Sequence, residues 1–326
     1  MKLLVISYYW PPAGGPGVQR WLKTALALQD QGHDVEVLTV DPKAATYPLK
    51  DMSLLKESES LTVHHSGATD WFKRYQQLTR RKEVPFSGFA NQAGTPGPLQ
   101  KLSRFIRGNC FLPDPRKGWN KQATALANKL LQSKDWDLII TTGPPHSTHL
   151  IGQTLQKTHG ITWWADFRDP WTDIYYYDQF YPTRWARRKD MAMEQSVLSQ
   201  ADRILCVSED LKRLLSSKVK RSSNDFHIMP NGYDPQDFSD AASQPSNEAF
   251  TLAYTGTLTL QYPLDALYKA IQGVIDASQA INLVVAGRPA KECVDQLQQM
   301  ARVSNGLFSF KALGYLPHAE SVKVLE

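Results

Sequence analysis

Two groups of residues in this sequence have the type and spacing to bind or react with a polar ligand. The first is Gly14-Gly15-Pro16-Gly17, with Arg20 one turn into the apolar repeat that follows. Glycines lack a Cβ, so a backbone built from them can turn tightly and approach a ligand closely. A helix beginning near Val18 would aim free N–H groups and a partial positive charge at that loop, where an anion or a sugar hydroxyl fits. Arg20 would add a charge-assisted hydrogen bond. The second group lies in Gly143-Pro-Pro-His146-Ser147 and Asp166-Phe-Arg168-Asp169-Pro-Trp171. His146 and Asp166 are the candidate catalytic residues, and Arg168 and Asp169 are candidate binding residues. One Arg between two Asp also reads as a structural ion pair. A helix N-terminus next to His146 would favour its neutral imidazole.

The elements that must position these residues are legible. Residues 2–7 are an apolar strand, 18–31 carry Trp21, Leu22, Ala25 and Leu26 at helical spacing, Gly32 closes the helix, and 34–40 form a second strand. Strand, glycine loop, helix and strand make the opening βαβ of a doubly wound α/β sheet, whose ligands sit at the carboxyl ends of the strands. Strands are also expected at 61–65, 137–142, 161–165, 201–208 and 225–229, which leaves His146 and Asp166 just past strand ends. A helix is expected over 102–111 and a loop over 85–98. Polar residues 237–247 read as a linker. The pattern then restarts with strands at 250–255, 281–286 and 308–313, and Gly256-Thr257 and Arg288 follow the first two. The expected architecture is two Rossmann-like domains with parallel sheets, at 1–240 and 241–326, the second incomplete.

Asp41 and Gly15-x-Gly17 imitate a dinucleotide fingerprint, but Arg20 stands where the third glycine belongs, so a nicotinamide cofactor is set aside. His33 reads as a turn residue. A chain of 326 residues, 42% hydrophobic and 21% charged, is ordinary globular material. No run approaches the roughly 18 apolar residues of a membrane span, and Met1 leads into a strand without a signal-peptide pattern. Cys110, Cys206 and Cys293 are odd in number and far apart, which suggests a reducing compartment and neither a disulfide frame nor a metal site. A cytoplasmic protein with no metal and no cofactor is therefore expected. Its net charge of +5 is uneven, because residues 70–121 hold eleven Lys and Arg against three Asp and Glu and so carry +8. Trp71, Phe72, Tyr75, Phe105, Phe111 and Trp119 are mixed in. Such a segment suits an anionic membrane surface or a lipid-linked phosphate, and reads otherwise as a solvated insertion.

Four blocks together resemble the family 4 glycosyltransferases of GT-B fold: residues 12–17; Ala201-Asp-Arg-Ile-Leu-Cys-Val-Ser-Glu-Asp-Leu-Lys212; Ile228-Met-Pro-Asn231-Gly-Tyr-Asp-Pro-Gln-Asp-Phe238; and Leu313-Gly-Tyr-Leu-Pro-His-Ala-Glu320. Residues 111–119, 143–149 and 165–171 resemble a bacterial subgroup tied to surface-polysaccharide synthesis. The resemblance implies an N-terminal domain that holds a glycan or lipid-linked acceptor and a C-terminal domain that holds a nucleotide sugar, the co-substrate. It implies transfer with retention of configuration and without a metal, at the inner face of the membrane. Gly14, Gly15 and Gly17 would face the donor diphosphate, and His146 or a group near Asp166 would contact the transferred sugar. Asn231, Gly256 and Thr257 fall at family binding positions. The family's Gly-Arg pair and following Lys are here Gly256-Thr257 and Tyr262, so Arg288 is the candidate substitute. The family's acidic donor motif would lie beyond Glu326, and the chain is expected to be C-terminally truncated and inactive in this form. The competing reading is a non-catalytic GT-B-like module that binds glycan or membrane. Nucleic acid is not an expected partner.

Overall fold

The computed structural model describes residues 1–45, 47, 49–69, 97–238 and 249–326. Residues 70–96, which hold half of the basic segment and nearly all of the loop expected at 85–98, lie outside the described residues, as do 239–248, which take in most of the linker expected at 237–247. The described residues up to 232 form one compact unit and those from 233 onward a second.

The first unit is built on seven strands: β1 (Lys2–Ile6), β2 (Asp34–Val40), β3 (Thr62–Ser66), β4 (Leu138–Gly143), β5 (Trp163–Phe167), β6 (Arg203–Cys206) and β7 (Phe226–Ile228). They pair in the order β3-β2-β1-β4-β5-β6-β7, every pair parallel. The order reverses between β1 and β4, which is the switch point where such sheets bind ligands. Seven of its helices matter here: α1 (Pro16–Asp30), α2 (Met52–Glu57), α3 (Pro98–Cys110), α4 (Asn120–Ser133), α5 (Ser147–His159), α6 (Arg184–Gln200) and α7 (Glu209–Ser216).

Strands covered on both faces should be apolar at consecutive positions, and β1 and β4 are. Alternate residues go to separate cores. Leu3, Val5 and Ile140 join Val18, Trp21, Leu22 and Ala25 of α1. Leu4, Ile6, Ile139, Ala165 and Phe167 join Ala123 and Ala127 of α4 and Ile151 and Leu155 of α5. The chain begins α1 at Pro16, where a missing N–H costs nothing, behind Gly15 at φ +104°.

The second unit has three parallel strands, β8 (Phe250–Gly256), β9 (Ile281–Gly287) and β10 (Phe308–Gly314), in the order β10-β9-β8. Its helices are α8 (Asp265–Asp276), α9 (Lys291–Val303) and α10 (His318–Lys323), and Ile271, Leu283, Val285, Leu297 and Phe308 form its core. Both units are Rossmann-like, as the sequence led us to expect. Among the described residues no helix is long and apolar enough to cross a membrane.

One strand boundary changes the chemistry. The strand expected to stop at Ala165 runs on to Phe167, so Asp166 lies inside β5 rather than beyond its end. Strand alternation then sends Asp166 and Phe167 to opposite faces of the sheet.

Candidate functional site

The glycine loop is held from both sides. The Gly14 N–H donates to the Leu49 carbonyl at 3.1 Å, and the Asp51 N–H donates to the Pro12 carbonyl at 2.9 Å. A Cβ at Gly17 would stand 2.1 Å from Nη1 of Arg168, so glycine is required there to admit the guanidinium. Arg168 follows the last residue of β5. Its Nη1 donates to the Gly17 carbonyl at 2.6 Å, its Nε to the Gly143 carbonyl at 3.1 Å, and its Nη2 to the Pro144 carbonyl. One guanidinium thus clamps the first turn of α1 to the loop after β4. Burial pushes its pKa down from the usual guanidinium value, with Asp166 and Asp169 opposing.

His146 stands at the end of that loop. Its imidazole is half-buried and stacks on Trp171, with ring centroids 5.0 Å apart and planes 8° from parallel. Burial, then His149, then Arg168 hold it well below the usual imidazole range, so the ring is neutral. His149 lies one turn on, fully buried, with Nδ1 3.0 Å from the Thr141 hydroxyl. That hydroxyl also accepts the indole N–H of Trp163 at 2.8 Å. Burial and Arg168 push His149 down to about 3.

The N-terminus of α5, beside His146, is occupied from within the protein. Asp114 covers it: Oδ2 accepts the Ser147 N–H at 2.8 Å and Oδ1 accepts the Ser147 hydroxyl at 2.9 Å. The carboxylate suits the positive end of the helix dipole and ties residues 111–119 to the 143–147 loop.

Asp166, expected near the transferred sugar, is fully buried beneath α1. Its carboxylate accepts from Arg20 Nη2 at 2.8 Å and Nε at 3.3 Å, from Trp21 Nε1 at 2.7 Å, and from the Thr142 hydroxyl at 2.8 Å. Arg20, expected to reach a ligand, also donates to the carbonyls of Met229 and Pro230 and to Asn231 Oδ1 at 3.0 Å. Both side chains are fully engaged within the protein, and with Asn231 they form an internal strut between α1, β5 and the segment after β7.

A cavity of about 90 Å³ opens beside His146. The Pro144-Pro145-His146 loop, Asp169 to Trp171, Tyr176, Tyr177, Phe180, Asp114, Asp190 and Arg107 line it. Asp190 accepts the Trp171 indole N–H at 2.7 Å and the Tyr177 hydroxyl at 2.9 Å, which fixes the ring that His146 stacks on. Burial pushes Asp190 up to about 6 and raises Asp169, the latter against the pull of Arg168. Asp190 was not singled out from sequence, because it lies in a helix far along the chain and carries no motif; Arg107, Asp114 and Tyr176 belong to the basic segment, the 111–119 block and the aromatic run 171–181, none of which marked them individually as site residues.

The remaining candidates belong to the second unit. Gly256 and Gly287 end β8 and β9 at φ +147° and +143°, and the Arg288 N–H donates to the Gly256 carbonyl at 3.2 Å. A Cβ at Gly287 would lie 1.8 Å from that carbonyl oxygen, so β9 can end this close to β8 only with glycine at 287. Thr257 follows Gly256, and its carbonyl accepts the Tyr254 hydroxyl at 3.2 Å. The structure therefore gathers Gly17, Arg168, His146 and Asp169 at one edge of the first sheet. It places Arg20, Asp166 and Asn231 below that edge, and Gly256, Thr257 and Arg288 at the strand ends of the other unit.

The profile of the family described as glycosyl transferase 4-like domain matches residues 14–232, two thirds of the chain. The chain belongs to this family. This glycosyltransferase shares the GT-B fold with several solved enzymes. The lipopolysaccharide outer core galactosyltransferase WaaB, in its apo form, is 10% identical with a TM-score of 0.52, over 97% of this chain and 68% of WaaB. Anabaena HepE, solved in complex with UDP and glucose, is 12% identical with a TM-score of 0.52, over 99% of this chain and 71% of HepE. The catalytic domain of starch synthase IV from Arabidopsis thaliana, bound to ADP and acarbose, is 12% identical with a TM-score of 0.54, over 98% of this chain and 76% of that domain. At such identities the likeness establishes the fold alone. No curated protein matches the sequence.

Proposed function

We propose that this glycosyltransferase moves a sugar from a nucleotide-sugar donor to a glycan or lipid-linked acceptor, with retention of configuration and without a metal, in bacterial surface-polysaccharide synthesis. The observation that carries the reading is His146: a neutral, half-buried imidazole at the sheet's switch-point edge, stacked on Trp171 and opening on a cavity. A ring held neutral serves a sugar by hydrogen bonding to its hydroxyls and is a poor proton acceptor near neutral pH. His146 would contact the transferred sugar, and Asp169 would meet the acceptor. The Gly14–Gly17 loop, backed by the Arg168 charge, would meet the donor diphosphate. In the second unit Gly256, Thr257 and Arg288 would take the nucleotide. Asp166 acts in this scheme as a positioning residue through Arg20 and the α1 turn.

Part of the proposed membrane contact lies among the described residues. Leu99, Leu102, Phe105 and Ile106 are exposed on α3, alongside Lys101. Apolar residues beside a cation suit an anionic surface, which supports the proposal of a peripheral enzyme at the cytoplasmic face.

Thr257 and Tyr262, where the family carries cations, favour a second reading, a glycan-binding module without turnover. Calorimetry with UDP-, ADP- and GDP-sugars, followed by transfer assays with labelled donor, separates the two. Binding with transfer and an unchanged anomeric configuration by NMR supports the first. Glycan binding without any nucleotide-sugar binding leaves only the second.

A further inference from the structure

Arg107 differs from the other half-buried arginines of the first unit. Arg168 holds three carbonyl oxygens, and Arg221 holds those of Leu198, Ala201 and Asp202 as well as Asp225. Arg107 has the ring of Phe180, 4.2 Å from its Cζ, and no hydrogen-bond acceptor among the described residues. Yet it is well fixed. A Cβ at Gly108 would come within 2.4 Å of the Phe180 carbonyl, so glycine lets the last turn of α3 lie directly on residues 180–183. Asn109 completes that contact, donating to the Tyr181 carbonyl at 3.1 Å and accepting the Thr183 N–H at 2.8 Å. The guanidinium is thus set into the wall of the cavity.

Among the described residues the guanidinium forms no ion pair, although three carboxylates line the same cavity. Burial lowers its pKa, Asp114 and then Tyr176 and Tyr9 oppose that, and Arg116 adds the smallest push downward. Asp114 is already committed to the N-terminus of α5, and Asp190 to Trp171 and Tyr177. Asp169, the third carboxylate of the cavity, has Arg168 as its charge partner, and burial and Asp169 raise the Tyr176 phenol to about 12 while Arg107 pulls it down. Tyr176 therefore offers a protonated hydroxyl next to the cation. On the outer side, Leu99, Leu102 and Ile106 lie at i, i+3 and i+7 of α3 and are exposed.

We propose that this cavity receives the phosphate of an acceptor carried on an apolar chain, with Arg107 and the Tyr176 hydroxyl donating to the phosphate oxygens and the chain lying along Leu99, Leu102 and Ile106. This rests on the acceptor-side reading above and narrows the acceptor to a phosphorylated amphiphile. A charge-assisted pair in a desolvated wall carries about 1.5–3 kcal/mol, or on the order of ten- to a hundredfold in affinity.

The test is equilibrium binding to the intact chain without donor, so it does not depend on turnover. Farnesyl phosphate, farnesol and inorganic phosphate are titrated below the micellar threshold and followed by tryptophan fluorescence. Farnesyl phosphate should saturate, with farnesol and inorganic phosphate each at least tenfold weaker. Arg107→Gln should lose that preference and Arg107→Lys keep part of it. Farnesol binding as tightly as its phosphate in the wild-type chain overturns the proposal, even if the variants do not fold. Equal displacement by phosphatidylglycerol vesicles also overturns it, since the contact would then be with the bulk membrane surface. Failure here with intact transfer to a phosphate-free glycan leaves the proposed function standing.

Discussion

Replacing Arg20 by methionine would separate the internal strut from the surface site. Arg20 is 8% exposed and Asp166 is 0% exposed, and they meet through two hydrogen bonds. The substitution keeps the volume and the helix but strands an ionised carboxylate that retains only Trp21 and Thr142 as partners. It also removes the donors that hold Met229, Pro230 and Asn231. Breaking a buried pair by removing one partner costs about 3–5 kcal/mol, so Arg20→Met should lower the unfolding free energy of the first unit by that amount. For a unit of this size the melting point should fall by roughly 6–20 °C. Adding Asp166→Asn removes the stranded charge, so the double variant should be more stable than Arg20→Met alone, with a coupling of about 1–3 kcal/mol. Urea unfolding followed by circular dichroism measures all three variants. A loss below about 1 kcal/mol for Arg20→Met, or purely additive effects, would refute the account of Asp166 as a saturated internal carboxylate.

Other perturbations address the cavity and the donor side. Asp190 has a folded pKa raised from 3.8 to about 6, so the folded state binds the extra proton between those values and stability falls as pH rises through them. That contribution is roughly 3 kcal/mol, and Asp190→Asn should remove it from unfolding curves taken between about pH 4 and pH 6. Gly17→Ala places a methyl against Arg168 and should cost about 1–3 kcal/mol in thermal unfolding, with the Arg168 clamp displaced. His146→Ala should lower the transfer rate about 100-fold with donor affinity nearly unchanged in calorimetry. Thr257→Arg with Tyr262→Lys restores the two family cations and should tighten nucleotide-sugar binding by about tenfold or more; unchanged affinity would exclude Gly256-Thr257 from the diphosphate site.

The alternation of apolar residues, the glycine loop and the strand-end positions of His146 and Gly256 were legible from sequence because they follow local periodicity and local turn chemistry. So were the two Rossmann-like units, and residues 14–232 carry enough of the family pattern to establish membership. What sequence could not decide is where a charged side chain near a strand end points. The two extra residues of β5 put Asp166 under α1 and Phe167 beneath His146, on opposite faces, because one step along a strand reverses the side chain. Partners 146 and 33 residues apart, Arg20 for Asp166 and Asp114 for Ser147, then occupied the carboxylate that sequence had offered to a ligand and the helix end beside His146. Composition and spacing determine which groups can do chemistry. Only the packed chain decides which are already satisfied, since a buried charge or helix end takes the nearest complementary group whatever its distance in sequence.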